Sequence, residues 1–163
     1  MKTSDITKKV YERFGSHILE AENDGEFLTY KVAPDKVTEM IEYLYNEPEL
    51  AYRYLTTLFA VHYPEISQIV MHYLLHNLEK NSRIRIKVFV GDTNPEIDTL
   101  TGIFSAANWL ERETYDFFGV KFIGHPNLKR ILNVEDMTIH PLRKEYPLED
   151  QMREDKKDEM FGR

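Results

Sequence analysis

The side chains best suited to chemistry lie close together in the last third of the sequence. Glu111, Glu113 and Asp116 surround Arg112, and a pair of such carboxylates could share acid–base work. Arg112 and Asp116, however, are spaced i and i+4, which on a helix favours a surface ion pair worth roughly 0.2–0.5 kcal/mol. No nucleophile, glycine-rich pocket or ligand set accompanies them in the sequence. We therefore predict no catalytic residue on this chain.

Two histidines, His72 and His76, could form half of a metal site. The pattern of residues 67–78 predicts a strand, and no Glu stands where a zinc-binding HExxH helix requires it. We interpret the pair as part of a sheet face. The alternative is a functional class of its own, a metal-dependent hydrolase that uses these two histidines. The glycines are too dispersed for a phosphate loop or a dinucleotide fingerprint. The chain has no cysteine to bind an iron–sulfur cluster, so we predict no cofactor on it.

A dipeptide repeats in the last third, as His125-Pro126 and His140-Pro141. Proline holds the residue before it in an extended conformation, so each histidine should be presented to a neighbour rather than buried in a helix of its own. Arg130 follows the first unit and the pair Arg143-Lys144 follows the second. This arrangement is compatible with anion binding or with salt bridges between chains.

Length and composition restrict the class of protein. The 163 residues suit one domain with a tail, and 42% hydrophobic with 30% charged residues is a globular balance. The net charge of −7 disfavours nucleic acid as a partner. The polar start has no apolar core of a signal peptide, and no apolar run reaches the about 20 residues that a spanning helix needs.

Hydrophobic periodicity predicts an α+β fold: a small domain of helices packed on a mainly antiparallel sheet. Its predicted elements are a helix capped by Ser4 and ending at Phe14, a strand over 26–32 after the Asp24-Gly25 turn, a helix over 34–46 and strands over 52–63, 67–78 and 83–90. After a polar loop over 91–100, a third helix spans 105–118 and Gly119 ends it. Residues 120–163 show no periodicity and predict an extended arm that packs on something outside the domain.

The arm also carries the strongest pattern in the chain. Residues 108–132, NWLERETYDFFGVKFIGHPNLKRIL, closely resemble the signature of the C subunit of respiratory complex I (NADH:quinone oxidoreductase), the 30-kDa-type subunit of mitochondria. Residues 140–148, HPLRKEYPL, resemble the continuation of that signature. The chain departs from the family pattern at Ile139, where glycine is usual, and at Glu145, where aspartate is usual.

The resemblance implies a cofactor-free structural and assembly subunit in the peripheral arm of a proton-pumping enzyme. NADH, FMN, the iron–sulfur clusters and quinone would be bound by other subunits. The implied neighbours in complex I are the hydrogenase-like D subunit, the cluster-bearing B subunit and the ferredoxin-like I subunit. The implied place is the cytoplasmic face of the bacterial inner membrane, reached only through the complex. The homologous subunit of a membrane-bound [NiFe] hydrogenase or of a ferredoxin-linked dehydrogenase is the alternative, because those machines share the signature.

The resemblance also divides the chain and selects its partner-binding residues. Together with the hydrophobic periodicity, it gives an α+β domain over 1–103, the signature helix over 104–119 and a partner-binding arm over 120–163. The residues expected to bind partners are Trp109, Glu111, Arg112, Glu113, Asp116, Phe118, Gly119, Phe122, Gly124, His125, Pro126, Arg130, His140, Pro141, Arg143, Lys144 and Pro147.

Overall fold

The computed structural model describes residues 3–23 and 27–147 of the chain. The elements in chain order are α1 (Thr3–Phe14), β1 (Ile18–Asn23), β2 (Leu28–Val32), α2 (Val37–Asn46), β3 (Tyr54–Tyr63), β4 (Gln68–Asn77), β5 (Ser82–Gly91), β6 (Glu96–Asp98), α3 (Ala107–Phe118) and β7 (Lys121–Ile123). The cap predicted for the Ser4 side chain, the turn predicted at Asp24-Gly25 and the end of the arm, residues 148–163, lie outside the described residues.

The longest strands form the centre of a five-stranded sheet of order β1-β2-β5-β4-β3. β3, β4 and β5 pair antiparallel in chain order, which confirms the predicted meander. Buried and half-buried residues alternate along most of β5, because one face of the sheet meets the core and the other does not. β2 lies parallel to β5, and β1 pairs antiparallel with β2. The predicted α+β class with a mainly antiparallel sheet is confirmed.

The first two helices, α1 and α2, each supply the core with one apolar stripe. Ile6, Val10 and Phe14 of α1 recur at helical spacing and are buried. Four residues of α2 are buried at the same kind of spacing. These side chains join one buried cluster with the inward-facing residues of all strands from β2 to β5. α3 packs beside β3, and its Ala107 belongs to the same cluster.

Two expectations about the loops are wrong. The stretch 91–100, predicted as a polar loop, contains β6, and the first residues of the predicted arm form β7, which pairs parallel with β6. Ile97 and Phe122 face each other in this pair and both are buried in the core. The chain therefore returns to its own domain after α3, and the arm begins after Ile123. β1, which the sequence did not predict, is exposed along nearly its whole length and so lacks an apolar alternation.

Candidate docking site around the third helix

A single buried carboxylate organises the loop that follows β7. Asp116 lies on α3 with no solvent exposure. Its Oδ2 accepts hydrogen bonds from the backbone amides of Ile131, Leu132 and Asn133 at 3.1, 2.8 and 2.9 Å. Its Oδ1 accepts from Arg130 Nη1 at 2.7 Å and from the Asn133 side-chain amide at 3.1 Å. One helical side chain thus fixes the path of the loop.

The electrostatics of Asp116 keep it ionised. Burial alone would raise the pKa of this carboxyl, because its charged form loses water. Hydrogen bonds from the backbone amides of Asn133 and Leu132 and from the side chains of Arg130 and Asn133 outweigh burial and hold the pKa of Asp116 well below its usual range. The Arg130 side chain is only 7% exposed, so the ion pair is shielded from water. The sequence expected Arg112 as the ionic partner of Asp116, and this is wrong.

Arg130 also closes the loop at its far end. Its Nη2 donates to the carbonyl oxygens of Met137 and Ile139 at 2.6 and 2.9 Å. The guanidinium therefore joins both ends of the segment 131–139 to α3. The sequence was compatible with anion binding or salt bridges between chains at Arg130, and in the structure both of its Nη atoms bind acceptors of the same chain.

Arg112 secures the chain just before this loop. Its Nε and Nη2 donate to the carbonyl oxygens of Lys129 and Arg130 at 3.1 and 3.0 Å. The guanidinium carbon lies 5.3 Å from the centre of the Trp109 ring, a cation–π geometry. Trp109 itself is 60% exposed. Arg112 thus couples the arm to an aromatic side chain that faces solvent.

The two His-Pro units bind the two ends of the third helix. His125 Nε2 donates to the carbonyl oxygen of Asn108 at 3.1 Å, near the start of α3. His140 Nδ1 donates to the carbonyl oxygen of Asp116 at 3.0 Å, near its end. The histidines are presented to a neighbour, as the sequence predicted, but this neighbour is a helix of the same chain.

The end of α3 is built around a glycine. Gly119 has φ of +76°, the left-handed conformation that glycine adopts without strain. A Cβ on Gly119 would lie 2.6 Å from Cδ2 of His140, so the ring occupies the space that any other residue would need. Arg143 Nε donates to the carbonyl oxygen of Phe118 at 2.7 Å and satisfies one of the last carbonyls of the helix. Arg143 is therefore also bound within the chain.

Glu111 holds the loop before α3 in the same way that Asp116 holds the loop after it. Its carboxylate accepts hydrogen bonds from the Leu100 backbone amide at 2.7 Å and from the Thr99 hydroxyl. The side chain is fully buried, and both partners are uncharged. Burial raises the pKa of Glu111 to about 7, although these two hydrogen bonds oppose the rise. Through these two contacts Glu111 fixes the turn that precedes α3.

The sheet contributes one residue that the sequence analysis did not single out. His62 on β3 is 5% exposed, and its Nδ1 accepts a hydrogen bond from the Lys144 backbone amide at 3.1 Å. Its Nε2 lies 3.4 Å from Asp92 Oδ2. Glu145 Oε2 is 3.3 Å from Nδ1. A lone histidine on a strand carries no sequence signal for a contact 82 residues away.

The arm exposes apolar side chains although its backbone is bound to the domain. Leu132 is 65% exposed and Val134 is 63% exposed, on either side of the Asn133 that Asp116 holds. Ile139 and Leu142 are exposed in the same segment. A backbone with its donors and acceptors bound keeps such side chains in one geometry. Exposed apolar side chains on a fixed segment are typical of a surface that another protein covers.

The structure divides the expected site residues into three sets. Buried are Glu111, Arg112, Asp116, Gly119 and Phe122; half-buried are Phe118, His125, Arg130, His140, Pro141 and Arg143; exposed are Trp109, Glu113, Gly124, Pro126, Lys144 and Pro147. The buried residues connect the arm to its own domain. The expectation that the arm lacks internal contacts is therefore wrong for residues 120–147.

The two histidines considered as metal ligands have other neighbours. His72 stacks on Phe59, and His76 Nε2 lies 3.3 Å from Asn81 Oδ1. Within residues 3–23 and 27–147, no group of three or more His, Cys, Asp or Glu side chains could hold a metal ion. None of the helices in those ranges is long and apolar enough to cross a membrane.

A packed α+β domain that presents apolar side chains on a fixed arm is typical of a subunit of a larger assembly. The chain belongs to the family described as "Respiratory-chain NADH dehydrogenase, 30 Kd subunit", whose profile matches residues 30–152. The resemblance drawn from the signature is confirmed.

Relatives extend this match over most of the chain. It is 38% identical to the NADH-quinone oxidoreductase C subunit of Geobacter sulfurreducens over 148 residues, which cover 90% of both chains. It is 42% identical to the corresponding C subunit of Mycolicibacterium gilvum over 123 residues, 74% of this chain and 54% of that protein. A probable mitochondrial NADH-ubiquinone oxidoreductase 30.4 kDa subunit of Candida maltosa is 40% identical over 121 residues, 74% of this chain and 44% of that one.

Solved structures share the fold. A chain of the membrane-bound sulfane sulfur reductase, an archaeal respiratory membrane complex, superposes with a TM-score of 0.78 and 24% identity over 91% of this chain and 87% of that chain. A trypsin-resistant fragment (1-134) of Nqo5 superposes with a TM-score of 0.65 and 24% identity over 78% of this chain and all of the fragment.

Proposed function

We propose that this chain is a non-catalytic structural subunit of a proton-translocating NADH:quinone oxidoreductase, and that its arm docks on neighbouring subunits. It supports electron transfer from NADH to quinone by holding the assembly together. NADH, FMN, the iron–sulfur clusters and quinone are bound by other subunits. The family membership and the relatives named as C subunits of NADH-quinone oxidoreductase support this role.

The observation that carries the proposal is the contrast between backbone and side chains in the arm. Asp116 and Arg130 bind the backbone of the segment 130–139. Leu132 and Val134 nevertheless remain mostly exposed. A loop that is fixed before it meets a partner loses little conformational entropy on binding, so the burial of these side chains contributes nearly in full. This is a pre-organised docking surface rather than a disordered tail.

The partners proposed are the large hydrogenase-like D subunit, the cluster-bearing B subunit and the ferredoxin-like I subunit. Attachment to them would place the chain at the cytoplasmic face of the bacterial inner membrane. The exposed members of the expected site, among them Trp109, Glu113 and Lys144, are the residues that would contact these partners without rearrangement, because their side chains already face solvent.

A related machine remains the second candidate. The superposition on a chain of the membrane-bound sulfane sulfur reductase favours it at the level of the fold. The relatives at 38 and 42% identity are NADH-quinone oxidoreductase subunits, and for this reason we place that enzyme first. The identity of the chains that copurify with this one would distinguish the two candidate enzymes. NADH- and flavin-binding subunits support the first candidate, and a nickel-binding relative of the D subunit supports the second.

The experiment is affinity purification of the tagged chain from its own cells, followed by mass spectrometry of the bound subunits. The test variant is Leu132→Ser with Val134→Ser. The matched control is Leu19→Ser with Leu78→Ser, since both leucines are 64% exposed and lie outside the arm. Full burial of an aliphatic side chain is worth about 1.5–3 kcal/mol, so the test variant should lose roughly tenfold or more of its bound partners. Equal recovery with test and control variants would refute docking through the arm.

A further inference from the structure

The second face of the main sheet is covered by none of the described helices. The apolar stripes of α1 and α2 join the cluster on the face that carries Tyr30, Met71 and Ile86. The strand register places a different row on the other face: Lys31 of β2, Lys87 of β5, His72 of β4 and Phe59 of β3 lie side by side. We call this surface the open face.

The half of the open face on β3 and β4 carries an aromatic stack and a pair of valines. Phe59 is 43% exposed and stacks flat on His72, with ring centres 4.8 Å apart. Val61 and Val70 are paired neighbours in the next row. His72 Nδ1 is buried and finds no hydrogen-bond partner among the described residues. Burial, with Lys87 and Arg85 nearby, lowers the pKa of His72 to about 4, so its ring is neutral at pH 7.

The half on β2 and β5 is basic. It carries Lys31, Arg83, Arg85 and Lys87, opposed by Glu20 and Glu22 of the edge strand β1. Counted over the part of the chain that the structure describes, this half carries four cations and two carboxylates, whereas the net charge of the whole chain is −7.

Lys31 is the cation on this face that is best placed for an incoming anion. Its Nζ lies 4.1 Å from the centre of the Phe89 ring, and no carboxylate of the described residues forms an ion pair with it. Lys87, by contrast, pairs with Glu22 at 3.6 Å. Both lysines line a pocket of about 120 Å³ together with Phe89, Glu20 and Glu22. The pocket has room for one side chain of a partner.

We propose that the open face docks an acidic segment of a partner polypeptide, with one of its carboxylates bound at Lys31 and an apolar side chain covering Phe59. Charge complementarity selects the partner, because the Lys31 ammonium lies beside an aromatic ring and pairs with no carboxylate of residues 3–23 or 27–147, so a partner carboxylate can bind it. The exposed Phe59 ring supplies apolar contact area. This contact goes beyond the arm: His62, which binds the arm, belongs to the opposite face of β3, next to Ala60. The subunit would thus be held on two sides.

The test is amine footprinting and zero-length crosslinking of the intact complex, with the free chain as the reference. Lys31 should react with an acetylating reagent about tenfold more slowly in the complex, the factor that 1.4 kcal/mol of contact free energy gives. Lys8, which is 78% exposed on α1, is the internal control and should not change. A carbodiimide should join Lys31 to an Asp or Glu of another polypeptide.

Each other outcome overturns the inference. A crosslink to a second copy of this chain would show a homodimer instead, and protection removed by nuclease or by detergent would identify nucleic acid or lipid as the occupant. If the complex forms while Lys31 reacts as fast as in the free chain, the open face is unoccupied and the proposed function still stands. Failure to recover any partner would overturn both proposals.

Discussion

Replacement of Asp116 by asparagine is the sharpest perturbation of the arm, because it changes charge and hardly changes shape. The native carboxylate accepts five hydrogen bonds, three of them from consecutive backbone amides. An asparagine keeps one accepting oxygen and puts an NH2 group in place of the other. Either the Arg130 guanidinium or the three backbone amides must then face this NH2 group, which is a donor and cannot accept their hydrogen bonds. Breaking a buried ion pair from one side costs about 3–5 kcal/mol.

The cost should appear as local opening of the loop rather than as unfolding of the core, because Asp116 binds the arm while the core cluster is formed elsewhere. Hydrogen exchange at the amides of Ile131, Leu132 and Asn133 measures that opening. We expect exchange to accelerate by roughly 10²- to 4 × 10³-fold, since 1.4 kcal/mol corresponds to a factor of ten. The control is Glu113→Gln, an exposed carboxylate on the same helix.

The pH dependence of the native loop has a defined sign. The folded pKa of Asp116 lies below its ordinary value of 3.8. The stabilisation is therefore fully present above pH 3.8 and is lost only as the pH falls through the lower folded pKa. Native protection at the three amides should persist from pH 7 down to pH 3.8. Exchange in Asp116→Asn no faster than in Glu113→Gln would refute the assigned role of this carboxylate.

Three further predictions follow from single contacts. Gly119→Ala should destabilise the folded chain by about 1–3 kcal/mol in urea unfolding, because of its positive φ and the His140 ring, whereas Gly102→Ala, which meets no atom within 4 Å, should not. Because burial raises the pKa of Glu111, this carboxyl makes a contribution to the free energy of unfolding that is fully present below pH 4.5. That contribution is lost as the pH rises through the folded pKa of about 7. Glu111→Gln should remove that slope and be the more stable form at pH 8, and an unchanged slope would contradict the burial argument. His62→Ala should leave the thermal midpoint of unfolding within a few degrees of the native value but make the chain cleavable by trypsin near Lys144, because the hydrogen bond from the Lys144 amide is lost. Equal trypsin resistance of the variant and the native chain would show that this hydrogen bond does not hold the arm.

The sequence predicted the parts of the fold whose pattern is local. β5 alternates strictly between charged and aliphatic residues, and α1 repeats Ile6, Val10 and Phe14 at helical spacing, so both were found. β1 was missed because it is an exposed edge strand and has no apolar alternation to detect. β6 and β7 are three residues each, too short to show a period.

The site shows the same limit. The sequence selected Asp116 and Arg130, but it could not show that they bind each other, since the two residues are 14 positions apart and no periodic element joins them. The i, i+4 rule proposed Arg112 as the partner because it considers only neighbours on one helix. The missing periodicity after β7 predicted correctly that the segment is neither helix nor long strand. It carried no information on whether the backbone is bound inside or outside the chain.

The central claim is that this subunit supports the enzyme by assembly and takes no part in the chemical step. The measurement that tests it most directly is NADH-driven quinone reduction per assembled complex, in cells that carry Leu132→Ser with Val134→Ser in place of the native chain. We predict that the amount of complex falls while turnover per complex equals that of the native enzyme. A normal amount of complex with reduced turnover would contradict the claim and give the arm a direct part in catalysis.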